Sequence, residues 1–186
     1  MARKSLDQML ADLLTAFPDQ NTKFITPAIL RTYFDDLIKA LRPSYALLRR
    51  DTAVAQAVTV LPIPLVFTVA DVTASQGEYT ANASVGRITR LDAGTVNFQF
   101  AASVSSPSNS PRTLTFSLYK NGVATPFRQS QTFNVIGEVI SLSFPAIQFN
   151  NGVANYDMYV ESSVADTFTF SNMGLVAQTI PVNNYV

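Results

Sequence analysis

The chain contains no cysteine, no histidine and no tryptophan. Without cysteine there are no disulfides and no thiol chemistry, and a zinc site would have to be built from carboxylates alone. Without histidine, a histidine-assisted nucleophilic triad is out of reach. Charge is scarce: 14% of residues are Asp, Glu, Lys or Arg, against about a quarter in an ordinary soluble domain. The thirteen basic and thirteen acidic residues cancel, so no overall field points to nucleic acid or to an anionic membrane. The longest apolar run, LPIPLVFTVA (61–70), holds two prolines and reaches about half of a membrane span. The N-terminus MARKSLDQMLADLL acquires Asp7 and Asp12 too early for a signal-peptide core. A soluble protein made without export by a standard signal is expected.

What is present in quantity is apolar and aromatic: 47% hydrophobic residues, thirteen Phe and seven Tyr in 186 residues. That is material for one domain with an appendage, and for a subunit interface besides. The charges are unevenly placed. Residues 1–50 hold eight Lys/Arg and five Asp, whereas 51–186 hold five basic and eight acidic residues.

The N-terminal part has helical periodicity. Leu6, Met9, Leu10, Leu13, Leu14 and Phe17 form one stripe at spacings of three and four, which predicts a helix over 5–17. Thr26 is a good N-cap and Pro27 a good first residue for a second helix over 26–41. Its apolar face comprises Ile29, Leu30, Tyr33, Phe34, Leu37, Ile38 and Leu41, and Pro43 ends it.

Beyond Arg50 the period becomes two. TVNFQFAASV (95–104), RTLTFSLYK (112–120) and VISLSF (139–144) alternate cleanly, with further candidate strands at 54–60, 64–69, 78–84, 130–136, 154–162, 166–171 and 174–180. Turn signals separate them: SSPSNSP (105–111), Asn121-Gly122 and Asn150-Asn151-Gly152. About ten short strands spaced this way predict a mainly β fold, a jelly-roll β-sandwich preceded by a pair of α-helices. The expected division is a helical attachment segment at 1–50 and a head domain at 54–186.

Chemistry is hard to place on this sequence. A Ser–Lys centre would have to draw on Lys4, Lys23, Lys39 or Lys120, none of them in a motif. Asp157, Tyr159 and Glu161 share one face of a strand, which reads as a solvated or interface face more readily than as a glycosidase couple. No phosphate-cradling glycine loop and no dense calcium loop occurs. A DNA-reading helix is opposed by Asp35 and Asp36, which would face the phosphates. No enzyme, cofactor or metal is expected, and the sequon Asn82-Ala83-Ser84 has no secretory context.

Two resemblances follow from longer stretches. RITRLDAGTVNFQFAASV (87–104), TLTFSLYKNG (113–122), SQTFNVIGEVISLSFPAIQFNNGVANYDMYVES (130–162) and DTFTFSNMGLVAQTI (166–180) resemble the globular heads of the tumour-necrosis-factor and complement-head superfamily. That resemblance implies a jelly roll assembled as a compact trimer. NTKFITPAILRTYFDDLI (21–38) resembles a segment common in bacteriophage tail-fibre, head-fibre and other virion proteins, where it precedes an appended β domain. Asn21, Ile25, Thr26, Pro27, Leu30, Arg31, Asp36, Leu37 and Ile38 match it, and Phe34 stands where leucine is usual. No glycine-rich shaft follows, which favours a stubby appendage over a long fibre.

Together these imply a bacteriophage virion structural protein assembled in the bacterial cytoplasm: a homotrimeric head-fibre, decoration or short tail appendage protein anchored by its N-terminus. Its partners would be itself and other virion proteins of capsid, portal or tail, with no nucleic acid and no membrane. Tyr119, Tyr156 and Tyr159 are the expected trimer-interface residues, because interface centres are aromatic-rich and charge-poor. Ile29, Leu30, Tyr33, Phe34 and Leu37 are the expected particle-attachment residues. The alternative is a tail-fibre head that grips host-surface glycan through Ser/Asn-rich loops such as 103–111 and 71–77.

Overall fold

The computed structural model describes residues 12, 31–35, 37, 44–67 and 72–179, except the side chains of 72–74. Twelve β-strands follow in chain order from Ser44 onward. They are β1 Tyr45–Arg50, β2 Val54–Val58, β3 Ile63–Pro64, β4 Val72–Gln76, β5 Tyr79–Asn82 and β6 Arg87–Arg90. After these come β7 Gly94–Ser105, β8 Arg112–Lys120, β9 Val123–Phe133, β10 Val139–Asn150, β11 Ala154–Ser162 and β12 Asp166–Thr179. They form two antiparallel six-stranded sheets, mainly β as expected. The first runs β10-β7-β12-β1-β4 with β2 on β12, and the second β5-β6-β11-β8-β9 with β3 on β11.

Period-two patterning drives the closure. β7 buries Val96, Phe98, Phe100, Ala102 and Val104 and turns the residues between them outward. β8 buries Leu114, Phe116 and Leu118 likewise. Rings from the first sheet meet rings from the second: Phe98 against Tyr156 at 4.4 Å, Phe100 against Phe116 at 5.5 Å, Phe168 against Phe133 at 6.0 Å. Offset and tilted rings at such separations add to the apolar burial that holds a sandwich together.

Asn121-Gly122 joins β8 to β9 with φ of 52° and 79°, the left-handed pair that a two-residue hairpin needs. β2 belongs to the first sheet and β3 to the second, so the short segment between them crosses the sandwich. Gln56 holds that crossing, donating to the Pro64 oxygen at 2.9 Å and accepting from the Val66 N–H at 3.0 Å.

Two expected boundaries are corrected. β1 pairs with β12 along its whole length and with β4 through Arg49, so residues 45–50 belong to the sandwich and not to a helical segment at 1–50. The run Tyr45-Ala-Leu-Leu-Arg-Arg is too short to betray its period and follows directly on helical patterning. β10 passes through Pro145 to Asn150 instead of stopping at 144, and β9 contains Pro126. Both are edge strands, where a missing N–H costs no ladder bond on the open side.

The expected N-terminal helix pair is not borne out as a pair: among the described residues Arg31–Asp35 and Leu37 form one short helical stretch, and Asp12 alone is helical before it. The rest of the expected helices at 5–17 and 26–41 lies outside the described residues. The Tyr33 hydroxyl donates to the Asp12 main-chain oxygen at 2.9 Å.

Candidate functional site

The surfaces available for function are the two outward sheet faces and the end at which the chain enters and leaves the sandwich. On the second sheet, alternation along β11 turns Asn155, Asp157, Tyr159 and Glu161 outward, and Tyr119 on β8 pairs across from Asp157. The Tyr119 and Tyr159 rings stack at 3.9 Å with 21° between their planes. Burial beneath its neighbour, and then the Glu161 carboxylate nearby, push the Tyr119 phenol up from its ordinary range.

Tyr156 is elsewhere, and its expected place at an interface is corrected. One residue out of phase with Tyr159, it points between the sheets, is fully buried, and donates to Asn150 Oδ1 at 2.6 Å. A side chain with no surface in one protomer has none to offer another. Tyr119 and Tyr159 come together as a pair; Tyr156 does not join them.

The same face is charged. Arg87 grips Asp157 with two bonds, Nε to Oδ1 at 2.8 Å and Nη2 to Oδ2 at 3.1 Å. That fork raises the Arg87 guanidinium further above its ordinary range. Arg128 faces outward on β9 and Glu161 on β11.

The outward face of the first sheet is different in kind. Cross-strand rows run Tyr45, Gln178, Asn97, Ile147 and then Leu47, Val176, Gln99, Pro145. The next row is Arg49, Gly174, Ala101, Ser143. Arg49 is the only charged residue in these three rows, and its Nε donates to Asp51 Oδ1 at 2.7 Å. Ile147 is 56% exposed, and Phe149 and Val139 on the same edge strand are 64% exposed. A broad sheet face of amides, hydroxyls and branched apolar groups has the composition of an interface centre, depleted in Lys, Glu and Asp.

At the entry end a buried polar network ties the chain together. Arg90 is 2% exposed. Its Nε donates to the Asp92 oxygen, Nη1 to the Tyr79 and Thr179 hydroxyls, and Nη2 to the Ala93 oxygen, at 2.7–2.8 Å. Nη2 also pairs with Glu78 at 3.1 Å. Ser44 Oγ donates to the Gln76 oxygen and accepts from the Glu78 N–H. Burial raises the Tyr79 phenol above its usual value although Thr179 and Arg90 act against it. The network ties the chain's entry at Ser44 to the end of β12 at Thr179.

Carboxylates that could have served as acid–base groups are largely in structural use. Asp51, Glu78, Asp157 and Asp166 each pair with an arginine, and Glu138 accepts from the Asn134 and Val135 N–H groups. Among the described residues no group of three or more Asp or Glu could hold a metal ion. Of the expected attachment residues, Ile29 and Leu30 lie outside the described residues, Phe34 and Leu37 are exposed, and Tyr33 is half-buried.

No protein-family model matches the chain, and no curated protein does. Solved structures do match in fold. The Eiger TNF of S. frugiperda superposes with a TM-score of 0.51 at 12% identity, over 75% of this chain and 94% of that one. The globular domain of zebrafish complement 1qA gives 0.50 at 15%, over 75% and 98%. Murine APRIL gives 0.51 at 10%, over 75% and 100%. The sandwich is therefore a jelly roll of the TNF and complement-head type, as the sequence resemblance implied.

Proposed function

We propose that this chain is a homotrimeric structural protein of a bacteriophage virion, with the segment before Ser44 as its attachment part and the jelly roll as its projecting head. The observation that carries self-association is the outward face of the first sheet, four strands wide with one charged residue in three rows. Such a face gains from burial against copies of itself, while the second sheet, with Arg87, Arg128 and Glu161 reaching its surface, stays in water. The expected interface thus moves from Tyr119 and Tyr159 to the rows through Gln99 and Ala101. Threefold assembly is what the resemblance to tumour-necrosis-factor and complement heads implies.

The virion role is supported by the segment Asn21–Ile38, which resembles the anchoring segment of phage virion proteins, and by a β head following it directly. Exposed Phe34 and Leu37 are apolar groups free to dock on a capsid, portal or tail protein. Expression of a chain beginning at Ser44 during infection tests this. The truncated head is expected to assemble and to be missing from purified particles, and full occupancy on the particles would contradict the anchor.

A further inference from the structure

The stacked Tyr119–Tyr159 pair stands beside a low floor. Across β8 and β9 the neighbouring outward positions are Ser117, Thr115, Ser130 and Ala124, all small, with Thr115 and Ser130 hydroxyls bonded to each other at 2.8 Å. Large rings next to small side chains make a step on an otherwise flat sheet. The phenols and charged groups along this step are unspent. Neither phenol hydroxyl nor the Glu161 carboxylate makes a hydrogen bond to any described residue. Arg128, across from Ser117, offers guanidinium donors from the far side. The immediately adjacent Asp157 is by contrast consumed by Arg87.

An aromatic stack alone is an ordinary cross-strand contact. An aromatic wall with free acceptors and donors at its rim recognises something more specific. It suits a flat molecule with C–H groups on one face and hydroxyls around its edge. We infer that this step binds a neutral hexose unit of a surface glycan, packed on the tyrosine pair and hydrogen-bonded to Glu161 and Arg128. The site lies on the sheet face and not in the loops 103–111 and 71–77. Its exposure in an assembled head rests on the trimer burying the first sheet; the binding itself does not.

The test is saturation-transfer NMR on the full chain with neutral hexasaccharides of glucose, galactose, mannose and rhamnose. It is followed by titration of any member that responds. Transfer from tyrosine ring protons to at least one sugar is expected. Tyr159→Ala should weaken that dissociation constant by about tenfold or more, and Tyr159→Phe by about threefold or less. Glu161→Ala, on a half-buried position with no bonded partner among the described residues, keeps the test valid should Tyr159→Ala not fold. It should weaken binding by about fivefold or more. No transfer to any sugar at about 10 mM overturns the inference. So does a dissociation constant unchanged in Glu161→Ala, or in a folded Tyr159→Ala. A chain of monomeric mass that still binds would overturn the trimer and leave the glycan step standing; a trimer that binds nothing would do the reverse.

Discussion

Removing Arg90 should be among the most damaging single changes in this protein. Its guanidinium, 2% exposed, makes four short hydrogen bonds and an ion pair at 3.1 Å to Glu78. Arg90→Ala would leave the Glu78 carboxylate, only 11% exposed, without its ion pair and with the Thr179 hydroxyl at 3.2 Å as its remaining side-chain donor, beside two main-chain oxygens that also lose theirs. Breaking a buried pair by deleting one partner costs about 3–5 kcal/mol, out of about 5–15 kcal/mol for a whole domain. Arg90→Met retains the volume and should cost nearly as much, since the loss is polar. Glu78→Gln is expected to cost about 1–2 kcal/mol, because Thr179 and a retained amide can still satisfy Arg90. The two changes together should cost less than their sum by about 1–3 kcal/mol. Urea melts followed by circular dichroism, at one fixed protein concentration, read these differences as midpoint shifts at constant slope. A cost for Arg90→Ala below about 1 kcal/mol, or strict additivity of the pair, would refute the argument.

Two further outcomes follow from the interior. Tyr156, fully buried, has its phenol pushed up from 10.0 to about 12, chiefly by desolvation. Above pH 10 the unfolded chain releases that proton while the folded chain keeps it. Stability should therefore be full below pH 10 and fall by about 2–3 kcal/mol towards pH 12. Tyr79 acts in the same direction, and Tyr156→Phe should flatten the alkaline fall in a urea-melt series. Gly94 sits at φ 132°, and a Cβ there would lie 2.7 Å from Arg90 Nη2. Gly94→Ala should cost about 2 kcal/mol in the same melts, and somewhat less when Arg90 is already methionine, because the clash goes while the backbone strain at φ 132° remains.

Strands with uninterrupted alternation and a closing turn were legible from sequence: β7, β8 and β11 are where their periods place them. β12 patterns as two strands, 166–171 and 174–180, because Asn172 takes φ 49° and the register with β7 slips between Ser171 and Gly174. One irregular residue broke the period without breaking the strand. β9 and the far half of β10 were hidden by Pro126 and Pro145, since a proline argues against a strand until the strand is known to be an edge. β1 was hidden by its length and by the helical patterning before it. Tyr156 and Tyr159 differ in parity, so one strand cannot turn both to the same face. The charge-poor outward face of the first sheet could not be found beforehand, because it exists only once β1, β12, β7 and β10 are in register. Arg90 gave no sign either, being an ordinary basic residue in a polar stretch until the fold closes over it.

The central claim is that copies of this chain assemble through the first sheet. Light scattering on the purified full chain, at micromolar concentration, measures it directly. The account predicts a mass about three times that of the 20.3 kDa chain for the native sequence and for Tyr159→Ala. It predicts the monomer mass for Ala101→Glu, which sets a like charge from every copy into the buried face. A monomeric native protein, or a trimer untouched by Ala101→Glu, would contradict it.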